Sequence, residues 1–284
     1  RSLSRARIDH RGLVRAAYGL RLPRTASTLR EAATAWSLVM PDPWAWSHET
    51  AAELWGLPVP EPWRPGIPLV VSRPTDSAPV RRPGIRGVRG LESRSTTAVA
   101  GMPCIGRLHT WWDLASELSL IDLVVMGDAV VGRALSFDED RVGVDPVAEL
   151  RLEGERRGGR RGSRRARQAL ALIRRGSGSP METRVRLRLS GEGLPEPRLN
   201  RDIHGSGLWL ATGDFVWEEH RVILEYQGDH HRSDRRQWQH DVTRHLDLQE
   251  AGWTVLLMTS ADFFSAHRWE LLVGRLRRAL GMPA

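Results

Sequence analysis

Between Leu208 and His231 the chain reads LWLATGDFVWEEHRVILEYQGDHH, and this stretch limits the fold more than any other. It predicts two strands joined by a short acidic turn at Glu218-Glu219. The second strand, His220 to Gln227, holds the apolar run Val222-Ile223-Leu224 before Glu225-Tyr226-Gln227. An uninterrupted apolar run of that length suits a central strand buried on both faces. Carboxylates at Asp214 and Glu225, near the inner ends of the pair, are costly there unless a cation meets them. The expectation is a divalent metal and a DNA phosphate.

Around this hairpin the pattern predicts further elements. Ser179-Pro180-Met181-Glu182 opens a helix with serine at N-cap, proline at N1 and glutamate at N3. A capping box accounts for Glu182, and a carboxylate in a first turn can also hold a metal-bound water; both readings stand. Asp234 to Ala251 reads as a helix, with Trp238, Val242 and Leu246 on one face. Trp253 to Met258 reads as a strand and Ala261 to Leu280 as an amphipathic helix. Helix, strand, strand, helix, strand, helix predicts an α/β/α layering around a small mixed sheet.

The front of the chain differs. Residues 1–57 read as helical, over Ile8 to Tyr18, over Leu29 to Met40, and over HETAAELWG capped by Ser47. Short helices with basic flanks suit a winged-helix or helix-turn-helix module, or equally a packing subdomain. Residues 58–150 read as a small α+β region, with prolines, glycines and short β-rich runs to Gly106 and helix from Thr110 to Gly132. Trp111 and Trp112 are assigned to its core. Arg151 to Ser190 carries thirteen arginines against three acids, so 151–176 reads as an arginine-rich linker or helix and 177–284 as the last domain. That run is either a solvated face or a surface that tracks phosphates, with Arg160, Arg161, Arg164, Arg165 and, beyond the hairpin, Arg232 as the contacts.

Composition narrows the chemistry. No lysine occurs, so all 42 basic residues are arginines, and against 34 acids they leave a net charge of +8. GC-rich codon usage accounts for the missing lysines but not for the excess of base, which suits a polyanion. Without lysine there is no P-loop lysine and no Schiff base. The single cysteine, Cys104, excludes internal disulfides and a cysteine-rich zinc site, and is expected to be buried. Leu118 to Val131 is the run nearest to transmembrane length, and Asp122 and Asp128 interrupt it. No signal-like segment is seen at the N-terminus, so a cytosolic protein is expected. Six of the ten histidines fall between 204 and 245, where polar surface is the plain reading and proton transfer the functional one. Asp241 and His245 at i and i+4 form an alternative metal pair that nothing completes, and the HGSG at His204 to Gly207 reads as a turn.

Phosphodiester cleavage needs an activated water and a charge sink. Mg²⁺, with Mn²⁺ substituting, supplies both through a few carboxylates and waters. Cross-strand neighbours approach within about 5 Å, close enough for Asp214 and Glu225 to share an ion with one backbone carbonyl. Gln227, two residues past Glu225, projects to the same side.

Asp-(ten residues)-Glu-x-Gln after a helix bearing a glutamate resembles the PD-(D/E)XK nuclease core. It is most similar to the branch around the very-short-patch-repair (Vsr) mismatch endonucleases. The phrases SPMETRVRLRL, GDFVWEEHRVILEYQGDHHR and DVTRHLDLQEAGWTVL carry the resemblance over roughly 177–280. It implies a restriction-endonuclease-like fold and Mg²⁺-dependent cleavage of double-stranded DNA, and is compatible with a homodimer. It further implies Asp214 as the bridging acid, Glu225 as the second acid, the Tyr226 carbonyl as a ligand, and Glu182 as the helix acid. His231 falls at a position of proton transfer or phosphate contact. Gln227 departs from the pattern by standing where most such nucleases have lysine and the Vsr branch has histidine. The zinc site of that branch also has no counterpart. A non-cleaving DNA-binding regulator or antitoxin, and an RNase, are the alternatives. SHETAAELWGLP and TWWDLASELSL resemble abortive-infection-type antitoxin proteins, which carry a winged helix; no site residue follows from them.

Overall fold

The computed structural model describes residues 13–17, 20–23, 28–132, 145–205, 207–228 and 235–283. It is a mixed α/β protein whose chain divides into two compact units at Ala171/Leu172. No helix among the described residues is long and apolar enough to cross a membrane.

The first unit opens with strands β1 (Leu13–Ala17) and β2 (Leu20–Pro23), paired antiparallel. Within the helix expected over Ile8 to Tyr18, residues 13–17 are corrected to a strand, held by pairing with Leu20-Arg21-Leu22-Pro23, whose own alternation has a period of two; Ile8 to Gly12 and Tyr18 lie outside the described residues. Helix α1 (Leu29–Ser37) starts at Thr28, where a capping box with Glu31 forms in full. Strand β3 (Ala45–Trp46) leads into helix α2 (His48–Leu54). Ser47 is its N-cap residue, yet its hydroxyl meets His48 Nδ1 at 2.8 Å and makes no bond to the helix backbone.

Strands β4 (Leu69–Arg73), β5 (Ile85–Arg89), β6 (Thr96–Val99) and β7 (Met102–Ile105) complete a five-stranded sheet in the order β5-β4-β3-β7-β6. Ala45–Trp46 lies in its middle, antiparallel to β4 and parallel to β7, so no boundary falls at residue 57. Trp36, Trp46, Leu69, Val71 and Cys104 share one core. Helices α3 (Arg107–Leu114), α4 (Leu120–Val131), α5 (Pro146–Arg157) and α6 (Ser163–Leu172) follow. Trp111 and Trp112 are buried as expected, and each indole N–H has a partner, the carbonyls of Leu123 and Leu150. Segment 151–171 thus folds as helix within the first unit and does not run free as a linker.

The second unit carries helix α7 (Pro180–Gly191), strands β8 (Arg198–Gly205), β9 (Leu208–Trp217) and β10 (Val222–Gln227), helix α8 (Arg235–Glu250), strand β11 (Thr254–Thr259), and helices α9 (Ser260–Phe264) and α10 (Ala266–Ala279). The sheet order is β11-β10-β9-β8; β10–β11 is parallel and the other pairs are antiparallel, so the sheet is mixed. Strand β8 was not legible in the sequence: RLNRDIHG lacks an apolar run because it is an edge strand with much of its length in water. Gly205 ends β8 opposite Leu208, which starts β9, and Ser206 of the expected HGSG turn lies outside the described residues.

Two cores flank this sheet. Phe215, Trp217, Val222 and Leu224 pack with Val185 and Leu189 of α7 and Trp269, Leu272 and Leu276 of α10. Ala211, Val216 and Ile223 pack with Leu248 of α8. Leu248, not Leu246, is the inward residue of α8, since Leu246 is 54 % exposed. The side chains of Trp238, Asp241 and Val242 lie outside the described residues, as do His231 and Arg232.

Candidate active site

The site grows from a break in strand alternation. Along β9, Ala211 faces the α8 core and Phe215 the α7/α10 core, although both fall on the same parity. Sidedness therefore reverses between them. Gly213 allows it: a Cβ there would stand 2.9 Å from Ile223 Cγ2 and Val216 Cγ2, on the α8 side. Strand β8 reverses at the same level. Leu199 packs with the α7/α10 core and Ile203 with the α8 core, and between them Asn200 has φ +45°. Asn200 lies between the pairs Leu199–Phe215 and Arg201–Gly213, hence opposite Asp214.

On the other side of β9, the ladder to β10 pairs Val222 with Trp217, Ile223 with Val216 and Leu224 with Phe215. The next step sets Glu225 against Asp214, and there a side chain replaces the ladder: the Tyr226 N–H donates to Asp214 Oδ2 at 2.8 Å. Glu225 follows Ile223 by two, so it faces α8, and α8 meets it. Arg244 Nη2 donates to Glu225 Oε2 at 2.8 Å, and His245 Nε2 lies 3.4 Å from the same oxygen. Glu225 is 4 % exposed, and its Oε1 is buried with no hydrogen-bond partner among the described residues. An orphaned buried carboxylate oxygen costs about 1–3 kcal/mol or more, because it is charged. Gln227 is half-buried two residues on, at the end of β10.

Glu182 arrives from α7. Only half of the expected capping box forms: Ser179 Oγ accepts from the Glu182 N–H, as expected. The glutamate's Oε2 instead accepts from the Gly178 N–H at 2.7 Å and from Asn200 Nδ2 at 2.6 Å. The carboxylate is thereby drawn off the helix end toward the sheet. Glu182 is 8 % exposed and close enough for its charge to act on Asp214.

Burial pushes the Asp214 carboxyl up to about 6; the Glu182 and Glu225 carboxylates add to the rise, while the Tyr226 N–H and Arg244 oppose it. The charges of Glu182, Glu225 and Arg244 thus all act on Asp214, and Arg244 is bonded to Glu225. Sequence reasoning named the acids, and named His245 as half of an alternative metal pair with Asp241, not as a neighbour of Glu225; it missed the roles of Asn200 and Arg244. The i, i+1 pair on α8 gives no motif, and the asparagine sits on the strand that was overlooked.

Among the described residues no set of three or more His, Cys, Asp and Glu side chains is grouped so as to hold a metal ion by itself. An ion here would draw on Asp214, Glu225, a backbone carbonyl and water. That donor set suits Mg²⁺, which keeps several waters and takes one or two carboxylates. The unpartnered Glu225 Oε1 and the reluctant ionisation of Asp214 both fit a missing positive charge.

The arginines named from the sequence divide. Arg160, Arg161 and Arg164 are exposed on the first unit. Arg165 is corrected: it is half-buried, and its Nη1 donates to the Leu118 carbonyl at 2.6 Å, tying α6 to the loop after α3. It serves its own chain.

No protein-family model matches the chain, and no solved structure matches it significantly. The chain is similar to two uncharacterized proteins of Mycobacterium tuberculosis, MT2308 from strain CDC 1551 / Oshkosh and Rv2248 from strain H37Rv. Each is 37 % identical over 104 residues, 37 % of this chain and 38 % of the relative. The chain thus matches well under half the length of these curated relatives.

Proposed function

We propose that the second unit is a Mg²⁺-dependent endonuclease that hydrolyses phosphodiester bonds in double-stranded DNA. The observation that carries the reading is the buried Asp214, bonded to the Tyr226 N–H beside Glu225 and within electrostatic reach of Glu225 and Glu182, together with a buried oxygen of Glu225 lacking any partner among the described residues. The resemblance to the PD-(D/E)XK core around the Vsr enzymes adds the order of these residues along the chain. Asp214, Glu225 and the Tyr226 carbonyl would hold the ion, with Mn²⁺ able to substitute. When bound, it acidifies a water and offsets charge on the phosphorus. Glu182, fixed by Asn200 and Gly178, orients a water, and Gln227 positions water or phosphate without moving a proton. His231 takes the proton-transfer role on the resemblance alone.

One observation favours a second reading, a DNA-binding protein that does not cut. Arg244 already sits on Glu225, and Gln227 brings no charge to the position where such nucleases carry lysine. The two readings separate in one assay: supercoiled, mismatched and single-stranded DNA, and structured RNA, are incubated with Mg²⁺ or Mn²⁺. Wild type should nick duplex DNA. Asp214→Asn should lower the rate by about 10²-fold or more, since metal-derived stabilisation is worth several kcal/mol. Equal cleavage by both proteins overturns the nuclease reading; binding without cleavage selects the second; preference for RNA moves the substrate to RNA.

A further inference from the structure

The arginines best placed for a polyanion are not those of α6. In the second unit, the segment Arg174-Arg175-Gly176 lies against the edge strand β8 and encloses a cleft of about 400 Å³. Four arginines line it, Arg174, Arg175, Arg198 and Arg201, against one acidic residue, Glu196. The cleft is built by specific contacts. Gly176 has φ +99°, and a Cβ there would stand 3.2 Å from the Leu199 carbonyl, so a glycine is what lets the loop lie on the strand. Asn200 Nδ2 then donates to the Gly176 carbonyl at 2.7 Å.

Three of the guanidiniums, those of Arg174, Arg198 and Arg201, are pre-positioned by acids that do not cover them. Arg174 closes on Glu196 through Nε and Nη2 at 2.6 and 3.2 Å. Arg201 and Arg198 meet Glu218 through Nε, at 3.0 and 3.8 Å. Their side chains are nonetheless 54 % and 65 % exposed, and Arg175 is exposed beside them. Fixing arginine stems before a ligand arrives lowers the rotamer entropy lost on binding.

One side chain links the loop beside this cleft to the acids. The Asn200 amide bonds both Gly176, the residue after Arg175 of the cleft, and Glu182, whose carboxylate acts on Asp214. We propose that this cleft tracks the phosphate backbone of a nucleic-acid duplex and delivers it to these acids. The proposal deepens the nuclease reading by naming the substrate contact, and it holds equally for a duplex that is bound and not cut.

The test is binding of a fluorescein-labelled duplex by the full chain in EDTA, followed by anisotropy across a salt series. Without metal, affinity is read independently of cleavage, so failure here and failure of the nicking assay are distinguishable. Arg175→Ala/Arg198→Ala/Arg201→Ala should weaken binding at least about tenfold. It should also flatten the slope of log K against log salt by about 0.9 for each phosphate that is no longer neutralised. The triple Arg→Lys variant, which keeps the charge, should retain most of the slope, and matching melting temperatures of both variants exclude misfolding as the cause. Unchanged affinity and slope in the alanine variant overturn the proposal. So does a larger loss from Arg160→Ala/Arg161→Ala/Arg164→Ala, or displacement of the duplex by equimolar inorganic pyrophosphate, which would mark a small-anion site.

Discussion

Asp214 ties the candidate chemistry to a measurable pH dependence. Its carboxyl is raised from 3.8 to about 6, first by burial. Between those values the folded state holds a proton that the unfolded chain has lost, so stability falls as pH rises through the window and levels off above it. The shift amounts to about 1–3 kcal/mol once solvent screening is allowed for. Melting temperatures of the metal-free protein should therefore decline from pH 4 to 6, and Asp214→Asn should remove that decline. Mg²⁺ at pH 7.5 should raise the melting temperature of wild type but not of the variant; an equal rise in both would place the ion elsewhere. At Gln227 the expected gain runs the other way. On the proposed nuclease reading, Gln227→Lys would add a positive charge where the scissile phosphate is expected and should raise Mg²⁺-dependent nicking about tenfold or more. Cys104 is buried, and burial pushes its thiol up to about 12. It should resist iodoacetamide in the folded protein at pH 8 and react once the chain is unfolded, as mass spectrometry would read.

At the scale of elements, two devices hold the architecture. The first is the reversal of sidedness in β8 and β9, which places Asp214 at the point where the β9–β10 ladder ends while β8 and β9 go on pairing. Gly213→Ala would push a methyl to within 2.9 Å of Val216 and Ile223 and should cost about 1–3 kcal/mol in chemical denaturation. The second lies in the first unit, where Asp113 on α3 binds Arg94 at 2.7 Å and Arg157 of α5 at 2.8 Å, and Glu153 binds Arg157 at 2.9 Å. Asp113 carries an ionised carboxylate held below its ordinary range: burial opposes this, but Arg94 and Arg157 outweigh it. Asp113→Ala would leave the largely buried Arg94 without its acid and Arg157 with Glu153 alone, and should destabilise the unit by about 3–5 kcal/mol. The arginine-rich stretch is thus partly internal. Arg157 and Arg165 staple helices, which charge counting along the sequence could not separate from a phosphate-facing surface.

For the molecule as a whole, each unit has its own core, one around Trp46 and Cys104 and the other around Phe215 and Leu224. Calorimetry should resolve two unfolding transitions. Trp46→Ala should lower only one and Phe215→Ala only the other, each by about 3–5 kcal/mol for a fully buried aromatic. A single transition shifted by both variants would mean that the units unfold together.

The capping box of α1 at Thr28 appeared only in the structure, whereas legible in the sequence by itself were the α/β character, the central strand β10, the capped start of α7 and the acids to watch. These follow from periodicity and from the cost of burying a carboxylate, which act over a few residues. Only the tertiary structure decided which partners those acids have. Arg244 and His245 reach Glu225 because α8 covers one face of the sheet, and Glu182 leaves its helix cap because Asn200 on an edge strand offers a better-placed donor. Such partners lie about 20 residues away in the chain and come within 3.5 Å only after the layers pack, so no local pattern encodes them.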